Sequence, residues 1–151
     1  MRFGTIQDVA DFARKLHAAL SDQYAELEQL SSSERARLML DYLNRHEQNL
    51  AQAMDKYEGD MSKGIAALWL QDVPELQSDD LVDKVRGVDL GDVDNIIAVA
   101  LDVDEYLIKL YQRMADEVDS DEGRAVFKSL IKLEDNERHR LSRAAFRLAD
   151  M

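Results

Sequence analysis

The stretch FKSLIKLEDNERHRL, Phe127 to Leu141, sets a histidine beside a run of acids near the end of the 151-residue chain. Two pairs at three-residue spacing lie in it: Asn136-x-x-His139, which keeps the histidine, and Glu134-x-x-Glu137, which keeps the first acid. On a helix turning by about 100° per residue, Phe127, Leu130, Leu141 and Leu148 define one direction. Glu134 and Glu137 fall close to that direction, whereas Asn136 falls on the far side and His139 nearly opposite. The stretch therefore predicts a helix that carries two acids inward and leaves His139 in solvent. A carboxylate among aliphatic side chains is costly unless a cation or a donor meets it. Other elements have to supply both the apolar interior and that partner.

Working outward, the chain reads as helical throughout, with six glycines, one proline and few clustered β-branched residues. A first helix is expected from Thr5, capped with Asp8 three residues on, with Ile6, Val9, Ala13, Leu16, Leu20, Leu27 and Leu30 as its stripe. Ser31 and Glu34 stand at capping-box spacing before a second helix, which runs to about Tyr57 with Gly59 as its stop. Met39, Leu43, Leu50, Ala53 and Tyr57 mark its apolar line. A third helix begins around Asp92 to Asp94 and reaches Val118, with acids at the positive end of its dipole. Its stripe is Ile96, Ile97, Ala100, Leu107, Tyr111, Met114 and Val118. The turn Asp119-Ser120-Asp121-Glu122 opens the fourth helix, which holds the stretch quoted first.

Roughly 35 residues separate the second and third helices, too long for a structureless loop in a compact domain. They include Gly64, Trp69, Pro74, Gly87 and Gly91, and Ile65 to Leu70 predicts a short helix or turn. Trp69 is expected to close one end of the core. Short turn, long crossover, short turn describes an all-α four-helix bundle of two helical hairpins, with residues 1–151 as a single domain.

Composition narrows the function classes. A net charge of −12 disfavours nucleic acid and anionic membrane as partners, and favours metal cations or basic proteins. The absence of cysteine excludes disulfides, zinc–cysteine sites and thiol catalysis. The beginning, MRFGTIQDVADFARKL, is acidic and amphipathic, unlike a signal peptide, and no apolar run approaches the ~20 residues of a membrane span. A cytoplasmic location is the expectation. The segment RGVDLGD lacks phosphate-loop spacing, and Asp102 to Asp104 and Asp119 to Glu122 lack the calcium-loop pattern.

Polar residues on apolar stripes carry the remaining information. Asp104 falls among Ile97, Ala100, Leu107, Ile108 and Tyr111, while Glu105 points outward. His46 lies on the line Met39, Leu43, Leu50 and Ala53, and His17 lies near the edge of the first stripe, between Ala13, Leu20 and Tyr24. A weak repeat supports two related hairpins: His17 precedes Tyr24, and Asp104 precedes Tyr111, by the same seven residues.

With F127-x-x-L130-x-x-x-E134-x-x-E137-x-x-x-L141, the spacing to Tyr24 and Tyr111 and the long crossover, the chain resembles the ferritin-like superfamily, especially its rubrerythrin-like branch. The resemblance implies a di-metal centre with one glutamate on each of helices one and three and Glu-x-x-His on helices two and four. By that resemblance His17 and Asp104 stand at the glutamate positions of helices one and three. Leu43 and His46 stand at the helix-two pair, so its bridging glutamate is lost, and Glu134 and Glu137 stand at the helix-four pair. The implied centre is altered and incomplete. His17, His46 and Glu134 are its principal candidate ligands, Asp104 and Glu137 the auxiliary ones, for iron, manganese or zinc. A redox enzyme follows only if iron or manganese is bound, with Tyr24 or Tyr111 close by. The alternative is a metal-free polar core in a structural or protein-interaction module, since a buried His–carboxylate pair can satisfy itself. Self-association as a dimer is expected in either case.

Overall fold

The computed structural model describes residues 4–70 and 78–149, and Pro74 lies outside them. Among these residues the chain forms six helices: α1 (Ile6–Leu30), α2 (Glu34–Asp60), α3 (Lys63–Ala66), α4 (Ser78–Arg86), α5 (Val93–Glu117) and α6 (Asp121–Ala149). Regular structure is otherwise confined to one antiparallel bridge between Thr5 and Trp69.

Local chemistry sets the helix ends. The Thr5 hydroxyl accepts from the Asp8 amide at 3.2 Å, and the Asp8 carboxylate accepts from the Thr5 amide at 3.1 Å, completing the expected capping box. α2 is capped by Ser33, whose hydroxyl accepts from the Ala36 amide at 3.3 Å, rather than by Ser31. Gly59 does not stop α2, which continues to Asp60 before Met61 turns extended. Asp92 caps α5 through the Asn95 amide, and the Ser120 hydroxyl accepts from the Gly123 amide at the start of α6. Gly123 is required by packing: a Cβ there would come within 2.9 Å of Val118 and 3.3 Å of Ile6.

α1 packs chiefly on α2 and α5 on α6, while α2 also touches α5 and α6. α1 and α2 run antiparallel, because Arg14 meets Glu58 and Ser21 meets Asn44. Arg35 reaches the carbonyl of Leu148 and His46 faces Glu137, so α2 and α6 are antiparallel as well. Ile6, Leu16, Leu20, Met39, Leu43, Leu107, Tyr111, Phe127 and Leu141 belong to one buried cluster drawn from all four long helices.

Two expectations about the apolar surface are corrected. Leu30 ends the α1 stripe but is exposed, because the helix stops there and the chain leaves toward Ser31. Trp69 does not close the core: it is 77 % exposed. Its backbone pairs with Thr5 and its ring lies over Gly4, where a Cβ would collide with it. The crossover is more ordered than one short helix. Besides α3 it contains α4, which packs against α1 and α5 and buries Val85.

Candidate metal centre

The inward polar residues meet in one layer across the four long helices. His17, His46, Glu47, Asp104, Glu134 and Glu137 are all buried. His139 is exposed and its ring lies near Asp135 on its own helix, so the inward pair of α6 is Glu134-x-x-Glu137.

His17 is held from both edges. Its Nδ1 lies 2.5 Å from Glu47 Oε2 and its Nε2 lies 2.7 Å from Glu134 Oε1. An imidazole donates to two carboxylates at once only as the imidazolium. Burial opposes that charge, but Glu134 and Glu47 outweigh it and hold the His17 pKa well above its ordinary value. The ring ties α1 to α2 and α6 together. Because its two acids sit on opposite edges, one ion cannot be shared by His17 and both of them.

His46 is held differently. Its Nε2 lies 3.1 Å and 3.4 Å from the two oxygens of Asp104. Its Nδ1 lies 3.3 Å from Glu137 Oε2, close enough for an ion pair but off the line of a hydrogen bond, so that nitrogen lacks a hydrogen-bond acceptor. Burial opposes the charged ring here too, yet the hydrogen bond to Asp104 and the close carboxylate of Glu137 raise its pKa to about 10. Burial raises Asp104 to about 6 in spite of His46, so at neutral pH the pair is imidazolium and carboxylate. The same contact with His46, against the opposing effect of burial, holds Glu137 below its ordinary value.

One group of side chains among the described residues converges on a point. His46, Glu47 and Asp104 each offer a donor atom within 4.8 Å of the others, and all three are buried. His17 and Glu134 belong instead to the neighbouring chain of hydrogen bonds that Glu47 joins to this group. Glu137 stands on the far edge of the His46 ring.

Glu47 is the residue that sequence reasoning missed. The resemblance put Leu43 and His46 at the helix-two pair and so counted no acid on that helix, whereas Glu47, one residue after His46, is buried in the layer. The signal was available: Glu47 follows Leu43 by four residues and precedes Leu50 by three, so both His46 and Glu47 lie on the buried stripe.

Around this layer Tyr24 Oη, Tyr111 Oη, His46 Nδ1 and Glu134 Oε2 are buried without hydrogen-bond partners. Buried polar atoms of this kind are uncommon, and each is costly unless an ion or water meets it. Burial raises both phenols well above their ordinary values, with Glu47 and Asp104 adding to the effect at Tyr24 and Glu134 and Glu47 at Tyr111. The phenols therefore stay protonated as neutral donors facing the acids.

No helix among the described residues is long and apolar enough to cross a membrane. Comparison of the chain with protein-family models, curated proteins and solved structures finds no match.

Proposed function

We propose that the chain is a ferritin-like four-helix bundle that binds one divalent transition-metal ion in its core, with His46, Glu47 and Asp104 as ligands. The observation that carries this reading is the convergence of those three donors within 4.8 Å in a buried layer. One imidazole and two carboxylates suit iron(II), manganese(II) or zinc. The architecture supports the bundle assignment: paired long helices, a long crossover between α2 and α5, and a polar layer fed by α1, α2, α5 and α6.

Charge supports the same reading. Glu137 is matched by Arg140 at 3.0 Å, which leaves Glu47, Glu134 and Asp104 facing two imidazoles. A divalent ion in place of the His46 proton adds one positive charge and balances the three acids against the ion and the His17 imidazolium. In this assignment His17 is a fixed internal cation and not a ligand, and Glu134 positions it. Bound iron or manganese would supply redox chemistry near the Tyr24 and Tyr111 phenols, and no catalytic residue is assigned. The chain is also expected to pair with a second copy, which light scattering on the eluted protein tests; a clean monomer refutes that part.

Elemental analysis of protein purified without an affinity tag is expected to find near-stoichiometric iron, manganese or zinc. No metal after anaerobic reconstitution with iron(II) would sink the proposal. It would leave the second reading, a metal-free structural or interaction module, which is favoured by one observation: both nitrogens of His17 already hold carboxylates, so the imidazolium takes over part of a metal's charge.

A further inference from the structure

Between α2 and α6 a pocket of about 390 Å³ opens on the surface over the His46 edge of the core. That volume lies in the range of small-molecule sites. His46 and Glu137 form its inner side, Arg45 and Arg140 stand at its rim, and Tyr42 forms a wall, its ring stacked on His46 at 6.4 Å between centroids. Asp104 does not line it and Glu137 does, so the Nδ1 edge of His46 faces the pocket and the Nε2 edge faces the core.

The charge here runs against the rest of the molecule. In a chain of net charge −12, the pocket gathers two arginines and a histidine against one acid. Arg143 and Arg147 on α6 add to the positive field felt by the Tyr42 phenol. Each rim arginine has one carboxylate partner: Asp41 lies 3.1 Å from Arg45, and Glu137 lies 3.0 Å from Arg140. Most of the guanidinium donors stay open to a ligand. Behind Glu137, the buried Nδ1 of His46 lacks an in-line acceptor.

We propose that this pocket binds a small oxyanion, a carboxylate or phosphate group held between Arg45 and Arg140. An oxygen of such a ligand takes the place of Glu137 beside Arg140 and supplies His46 Nδ1 with the acceptor it lacks. Arg45 and Arg140, which hold the anion, are not ligands in the metal reading, so this inference does not depend on it.

The test is calorimetric titration of chelator-treated, metal-free protein with inorganic phosphate and, separately, with acetate, at constant ionic strength set by chloride. Saturable binding of at least one probe is expected in the millimolar range. Arg45→Gln and Arg140→Gln should each weaken it by about tenfold, the loss of one charge-assisted contact. Glu137→Gln should tighten it, because it removes the competing carboxylate. Lys109→Gln and Arg113→Gln, which line another pocket with Tyr106, should leave it unchanged. All four cations are on the surface, so their loss spares the core. No saturable binding of either probe, or equal weakening by the rim and control variants, overturns the proposal, and the metal content of the untreated protein is unaffected by that outcome.

Discussion

The two imidazoles of the core sit in similar company and do different things. His17 lies wholly inside, with a carboxylate against each nitrogen. His46 has a carboxylate beside each nitrogen too, but one contact is longer and the other is out of line, and its outer edge faces a surface pocket. Two short bonds from an enclosed ring give a structural clasp. On the readings proposed above, the looser contacts of a ring open at one edge are where a metal replaces a proton on one side and an anion replaces Glu137 on the other. The number of acids is the same in both halves, and geometry makes the difference.

The largest effect should come from His17→Ala. It leaves Glu47 and Glu134 buried without their shared cation, and removing one member of such a buried cluster costs about 3–5 kcal/mol. Denaturant unfolding of metal-free protein measures it. His46→Ala should cost less, because Arg140 still meets Glu137 at the edge, but it should abolish bound metal while the helical circular-dichroism signal persists. Equal destabilisation by the two variants would erase the distinction between the halves.

Acidity sharpens the comparison next. A histidine whose pKa is raised on folding stabilises the fold fully below its ordinary value, and the stabilisation is lost as pH climbs through the raised one. For His46 that window runs from 6.5 to about 10, so metal-free protein should lose stability steadily from pH 7 to pH 10. Glu137 acts in the opposite direction: its contribution is present above its ordinary value of 4.5 and is lost as acid protonates it. Metal affinity should instead rise with pH between 6 and 8, since the ion displaces the His46 proton. A stability profile flat from pH 7 to pH 10 would show that the ring is not held charged. The smallest effect belongs to His139→Ala, within about 0.5 kcal/mol and with metal content unchanged, as for most surface substitutions. Loss of metal in that variant would mean that the register assigned to α6 is wrong.

Much of this was legible in residue order. The capping box at Thr5, the start of α5 after Asp92, and the inward turn of Glu134 and Glu137 with His139 outward all follow from local hydrogen bonding and 3.6-residue periodicity. Glu47 escaped because two adjacent residues, His46 and Glu47, share the buried stripe, and the histidine drew the assignment. Trp69 misled because size and apolarity suggest burial, while its place beside an extended segment leaves the ring on the surface over Gly4. α4 escaped because its apolar face is only about one turn long, Leu81, Val82 and Val85, too short for a periodicity to stand out in the crossover.

By itself the sequence determined the helical class of the fold, the starts of the four long helices to within a few residues, and the direction in which most of the inward polar side chains leave their helices. These depend on neighbours along the chain, within a turn or two. Only the tertiary structure decided that His17 bridges Glu47 and Glu134, that His46 turns to Asp104, and that Glu47 completes a three-donor group. Periodicity says that a side chain points inward. Which partner it meets depends on how far each helix slides along its neighbours, and packing across the whole core sets that.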